Sequence, residues 1–162
     1  MIRRLTYILG LYLAVACFAC LKPPVYPIEP IISMLSMTKD SIRQASIISD
    51  DSIRITFNYT DGDGDLGDSD SLNVFLTDNR TSSVGQQFKI PFLPENAGAK
   101  GISGEIALTI RQTCCIYSNG QLPCTAGVDQ LKDTMSYSVQ IKDRAGHYSN
   151  SITTPPIYIL CK

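Results

Sequence analysis

Five carboxylates crowd the ten residues Asp61-Gly62-Asp63-Gly64-Asp65-Leu66-Gly67-Asp68-Ser69-Asp70, and no cation stands among them. Like charges repel by roughly 1 kcal/mol per close pair even in water. A compact fold therefore holds such a run either splayed in solvent or wrapped around a hard cation. Calcium takes six to eight oxygen ligands, and alternating Asp with Gly lets successive carboxylates turn toward one ion. Magnesium seldom uses so many carboxylates. On this reading Asp61, Asp63 and Asp65 are direct ligands, with Asp68 and Asp70 as helpers. The competing reading is a solvated turn, because Asp and Gly are also good turn formers.

Asp61, Asp63 and Asp65 match the first, third and fifth positions of an EF-hand loop, but the rest of that pattern fails. Leu66 stands where glycine is required, Leu72 where the bidentate glutamate belongs, and no helical pattern flanks the run. Any site is of the β-loop kind, like the loop-end sites of calcium-binding sandwich domains such as cadherins. The loop falls between two predicted strands, at one end of a sandwich, where Asp143 would approach the same pole. His147 is the only histidine and falls at a predicted hairpin tip, and there is no Gly-x-Ser-x-Gly elbow, phosphate loop or dinucleotide fingerprint. The expectation is a protein that is not an enzyme. Trp is absent, and Tyr26, Tyr117, Tyr148 and Tyr158 are scattered, which weakens a sugar-binding platform.

The elements that must position these residues are strands. Residues 52–59, 72–77, 87–92, 104–111, 137–142 and 152–160 are β-branched, aromatic or strictly alternating, and 31–37 is a weaker run of the same kind. No twelve-residue window beyond residue 21 carries a helical period. Seven or eight short strands separated by Gly, Asp and Asn turns predict an all-β, antiparallel β-sandwich. The segment from Tyr137 to Asn150, with Asp143-Arg144-Ala145-Gly146-His147, resembles the closing hairpin of bacterial immunoglobulin-like domains, with His147 in place of the usual Asn. Tyr137, four residues after Asp133, resembles a tyrosine corner. The resemblance implies an immunoglobulin-like sandwich over 31–162.

The chain begins like an export signal. Arg3 and Arg4 precede about twelve apolar residues, too few for a bilayer span of ~20. Cysteines follow small residues at Ala16-Cys17 and Ala19-Cys20, resembling the lipobox of bacterial lipoproteins; Cys20, or alternatively Cys17, would carry the acyl chains. Residues 1–19 are read as signal peptide and 20–30 as a tether, whose Pro23, Pro24, Pro27 and Pro30 suit a stiff spacer of about 3 Å per residue that holds the domain off the membrane. Without Arg3 and Arg4 the chain carries 12 basic against 15 acidic residues, a net charge of −3. That argues against nucleic acid as a partner, because phosphate binding needs a basic face. Cys114, Cys115, Cys124 and Cys161 suggest two disulfides in an exported protein. Adjacent cysteines do not readily pair with each other, so Cys114 and Cys115 take different partners. One arrangement joins Cys115 to Cys124 and Cys114 to Cys161, but spacing does not choose among the three pairings. A zinc site lacks a C-x-x-C knuckle.

The string from Ile55 to Gly67, together with the lipidated start, Pro-rich tether, Cys-Cys pair and Asp-Arg-Ala-Gly hairpin, resembles a family of outer-membrane lipoproteins of Bacteroidota with no known activity. The resemblance implies outer-membrane residence through acyl chains, with the periplasmic or surface face open. The resulting expectation is a non-enzymatic, calcium-stabilised accessory or interaction module of the cell envelope, with an envelope protein as partner. The alternative is a surface lipoprotein that binds glycan or peptide ligands.

Overall fold

Alternation decides which side chains go inside. In the computed structural model, which describes residues 24–48, 50–93 and 101–162, Ile53, Ile55 and Phe57 are fully buried while Arg54 between them is exposed. The signal segment 1–19, Cys17, Cys20 and the first tether residues lie outside the described residues.

Ten strands follow in order among the described residues: β1 (Ile31–Met37), β2 (Ser41–Arg43), β3 (Ile53–Asp61), β4 (Val74–Asp78), β5 (Ser83–Phe88), β6 (Ile102–Ile110), β7 (Lys132–Met135), β8 (Tyr137–Ile141), β9 (Ile152–Thr153) and β10 (Ile157–Leu160). They form an all-β sandwich of three sheets, ordered β1-β3-β6, β5-β4-β8-β9 and β2-β10-β7. All pairings are antiparallel except β10 with β2. One apolar cluster, including Ile32, Phe57, Leu66, Leu76, Val139 and Ile159, joins all three sheets.

Several expectations are corrected. There are ten strands rather than seven or eight, because β2 and β7 are short and polar and carry no alternation signal of their own. The third predicted strand lies earlier, over β5, since Pro91 has no N–H to give a ladder. The last one splits at Pro155-Pro156 into β9 and β10 for the same reason. The tyrosine corner is not formed as expected: the buried Tyr137 hydroxyl accepts from Gln86 Nε2 at 3.2 Å, while Asp133 pairs with Arg80, which also grips Asp78. The hairpin after β8 does form. Asp143 N–H donates to the His147 carbonyl, Lys142 bridges to Tyr148, and Gly146 supplies φ +99°.

Strand register defines two poles. Asp61 pairs with Ile102 and Thr60 with Ile31, so the loops after β3 and before β1 and β6 share one end. The Asp143 hairpin joins them, since Lys142 N–H donates to Asn73 and Arg144 N–H to Asp65. Ile53 pairs with Ile110, which puts 111–125 at the other end.

The cysteines take different partners, but in the opposite arrangement to the one outlined from sequence. Cys114 bonds Cys124, and Cys115 bonds Cys161. Cys115 is the inward member of the pair, fully buried like Cys161 after β10, and so it takes the core partner. Cys114 faces outward and closes the short surface loop. Chain-entropy reasoning puts the 46-residue link at about 4 kcal/mol and the 10-residue link nearer to about 3. The Cys115→Ala/Cys161→Ala variant should accordingly lose more stability in urea titrations than Cys114→Ala/Cys124→Ala. The reverse order would contradict this pairing.

Candidate metal centre

The acidic pole is built from the end of β3. The inward positions of this strand run Ile53, Ile55, Phe57, Tyr59 and then Asp61, so the strand period itself drives a carboxylate into the sandwich. Asp61 is 0% exposed. Its Oδ2 accepts the Leu66 N–H at 3.0 Å, which folds the chain back while Leu66 plugs the core beneath it, also fully buried. Oδ1 of Asp61 is buried and has no hydrogen-bond partner among the described residues.

Asp65 repeats this arrangement. Its Oδ2 accepts the Ala145 N–H at 2.9 Å, and its Oδ1 is likewise buried without a partner. Asp143 comes from the hairpin after β8. Its Oδ1 accepts the N–H groups of Gly146 and His147 at 2.6 and 2.7 Å, and its Oδ2 lies 2.8 Å from His147 Nδ1. Asp63 completes the group from the exposed side. One oxygen from each of Asp61, Asp63, Asp65 and Asp143 lies within 4.8 Å of the others.

Glycines let the loop pack this tightly. A Cβ on Gly62 would sit 2.4 Å from the carbonyl oxygens of Tyr26 and Pro27, so the acidic loop lies directly on the segment leading into β1. Gly67, at φ +89°, approaches the Pro91 carbonyl just as closely. Arg144 closes the rim, donating from its guanidinium to the Gly67 carbonyl at 2.9 Å and lying 4.8 Å from the Phe92 ring.

Electrostatics follow from that packing. Burial, with the charges of Asp63 and Asp65 added, pushes the Asp61 carboxyl up to about 6. Asp65 is raised by burial and then by the charges of Asp143 and Asp63. His147 is raised by its hydrogen bond and ion pair with Asp143. A buried acceptor left unpaired costs about 1–3 kcal/mol, and buried polar atoms in folded proteins are almost always satisfied. Two such oxygens, on residues whose carboxylates converge with those of Asp63 and Asp143, fit a hard cation, which would pair with them and cancel the repulsion.

The structure brings together Asp61, Asp63 and Asp65 as read from sequence, together with Asp143, which the sequence reading set at the same pole. It does not bring in Asp68 and Asp70. Asp68 Oδ1 accepts the Asp70 N–H at 2.8 Å, and Asp70 Oδ2 accepts from the Ser69 hydroxyl. Both carboxylates belong to a surface turn that Lys89 Nζ caps at the Ser69 carbonyl. The run thus divides, its first half a convergent cluster and its second half a solvated turn. Sequence reasoning missed the contact of the loop with Tyr26 and Pro27; Gly62 was its one trace. No protein-family model, curated protein or solved structure matches the chain.

An acid raised in the fold stays protonated there at pH values where the unfolded chain has already released its proton. The metal-free protein therefore loses stability as pH rises from 3.8, the ordinary value, through about 6. Asp61→Asn keeps an acceptor for Leu66 and removes the charge. In chelator at pH 7 this variant should melt at or above the wild-type temperature and should show a shallower decline than wild type over that window, since Asp65 remains raised. A marked fall in its chelator melting temperature would show that the charge is satisfied without an ion.

Proposed function

We propose that the protein is a non-enzymatic, lipid-anchored, calcium-stabilised module of the cell envelope with an immunoglobulin-like sandwich. The observation that carries the ion is the pair of buried, unpartnered oxygens of Asp61 and Asp65 inside a four-carboxylate cluster. Calcium suits it better than magnesium, which prefers one or two carboxylates and keeps several waters. The anchor rests on the leader-like start and on Cys20, with Cys17 as the alternative, and the outer membrane on the resemblance to Bacteroidota lipoproteins.

The ion's role follows from what the cluster joins. Asp61 ends β3, Asp63 and Asp65 lie in the loop after it and Asp143 in the hairpin after β8, and the loop rests on the backbone of Tyr26 and Pro27. A cation bound there ties strands of two sheets and the later part of the tether into one rigid end. An interaction module gains a fixed surface from this, and the carboxylates have no part in any reaction.

Calorimetric titration of the mature protein should show calcium binding. At 100 times the dissociation constant, calcium should add about 2.7 kcal/mol of stability, a rise of several degrees in melting temperature over chelator. Asp63→Asn should weaken binding strongly, whereas Asp70→Asn, in the surface turn, should leave it unchanged. No heat and an unchanged melting curve would refute the ion.

A further inference from the structure

The tether enters the domain at the acidic pole. Thr60 of β3 pairs with Ile31, and the carbonyls of Tyr26 and Pro27 lie against Gly62 inside the acidic run. Tyr26 also packs beside Gly101, whose own Cβ would meet the Asp61 carbonyl. The later half of the Pro-rich segment is therefore bound to the domain and does not act as the free spacer its composition suggests. From Cys20 to Tyr26 a chain reaches at most about 20 Å, whatever its conformation. β3, nine residues long, spans about 30 Å between the poles. An anchor at Cys20 brings the acidic pole to the membrane and turns the 111–125 end away.

That pole has the surface such a placement requires. Val25 and Ile28, on either side of the Tyr26–Pro27 contact, are exposed, as are Phe92 under Arg144 and Leu72 just beyond Asp70. Asp63 is the exposed member of the carboxylate group. A cation held by these four carboxylates is open to further oxygen ligands on the side where Asp63 meets solvent. Without an ion, the same carboxylates repel phosphate.

Resting on the ion-binding and lipid-anchored reading above, the geometry points to the acidic pole as a membrane-facing surface. There a bound calcium completes its oxygen shell with phospholipid headgroup phosphates and draws the domain onto its own bilayer. Apolar Val25, Ile28, Phe92 and Leu72 form the contact rim. Ion loading then sets the height and tilt of the domain on its anchor.

The chain has no tryptophan, so single probes report cleanly. The acylated full-length mature protein would be reconstituted in phosphatidylethanolamine–phosphatidylglycerol vesicles that carry a headgroup-level nitroxide quencher. Phe92→Trp, or Val25→Trp at a second exposed position, should lose emission in calcium and recover it in chelator. Leu122→Trp, 73% exposed at the opposite pole, should be indifferent to both. Labelled-calcium uptake in excess of that by the same vesicles without protein separates the two failures. Uptake with no change at Phe92 and Val25, equal quenching with and without calcium, or equal quenching at Leu122 would overturn the docking while leaving the ion site standing. Absence of uptake would remove the ion reading itself, and the docking with it.

Discussion

Asp61 stands at an inward-facing position of β3, where the strand period calls for an apolar side chain, and its charge must be answered there. One oxygen is met by the Leu66 N–H and the other by nothing from the described chain. Much of the neighbouring architecture relates to this group. Leu66 seals the core below it, Asp65 and Asp143 approach from two further segments, and Arg144 holds the rim. A cation is the simplest partner for such a set, because protein dipoles already occupy the second oxygens of Asp61 and Asp65.

The two poles of the sandwich solve their loop problems differently. At the far end, covalent and ionic staples close the structure: Cys114–Cys124 over the surface loop, and Arg80 between Asp78 and Asp133. The second disulfide, Cys115–Cys161, ties the loop after β6 to the residue after β10 and so holds the small third sheet against the core. At the acidic end no disulfide lies among the described residues, and carboxylates converge where a crosslink would otherwise serve. That contrast puts the convergent carboxylates at the pole where Tyr26 and Pro27 pack against Gly62.

Legibility in the sequence was uneven for identifiable reasons. Strands with clean period two, β3, β6 and β8, were read nearly to their ends, because burial on one face leaves an alternating signature. β2 and β7 were not, since three or four residues stabilised mainly by pairing with β10 carry no periodicity. Within the acidic run all five aspartates look alike. Only the fold shows that Asp68 and Asp70 spend their oxygens on a local turn while Asp61 and Asp65 point theirs inward. Asp143, 82 residues from Asp61 in the chain, was approachable only by supposing which loops share an end.

The amino-acid sequence alone determined the all-β class, the acidic loop as the one chemically distinctive feature, and the rule that adjacent cysteines seek different partners. These are local properties, set by side-chain alternation, charge density and covalent geometry. Tertiary structure alone decided the disulfide pairing, the membership of Asp143, the exclusion of Asp68 and Asp70, and the docking of Tyr26 and Pro27 on the acidic loop. Each depends on which segments register brings to the same pole, and that is settled by burying one shared core, which no single stretch of chain encodes.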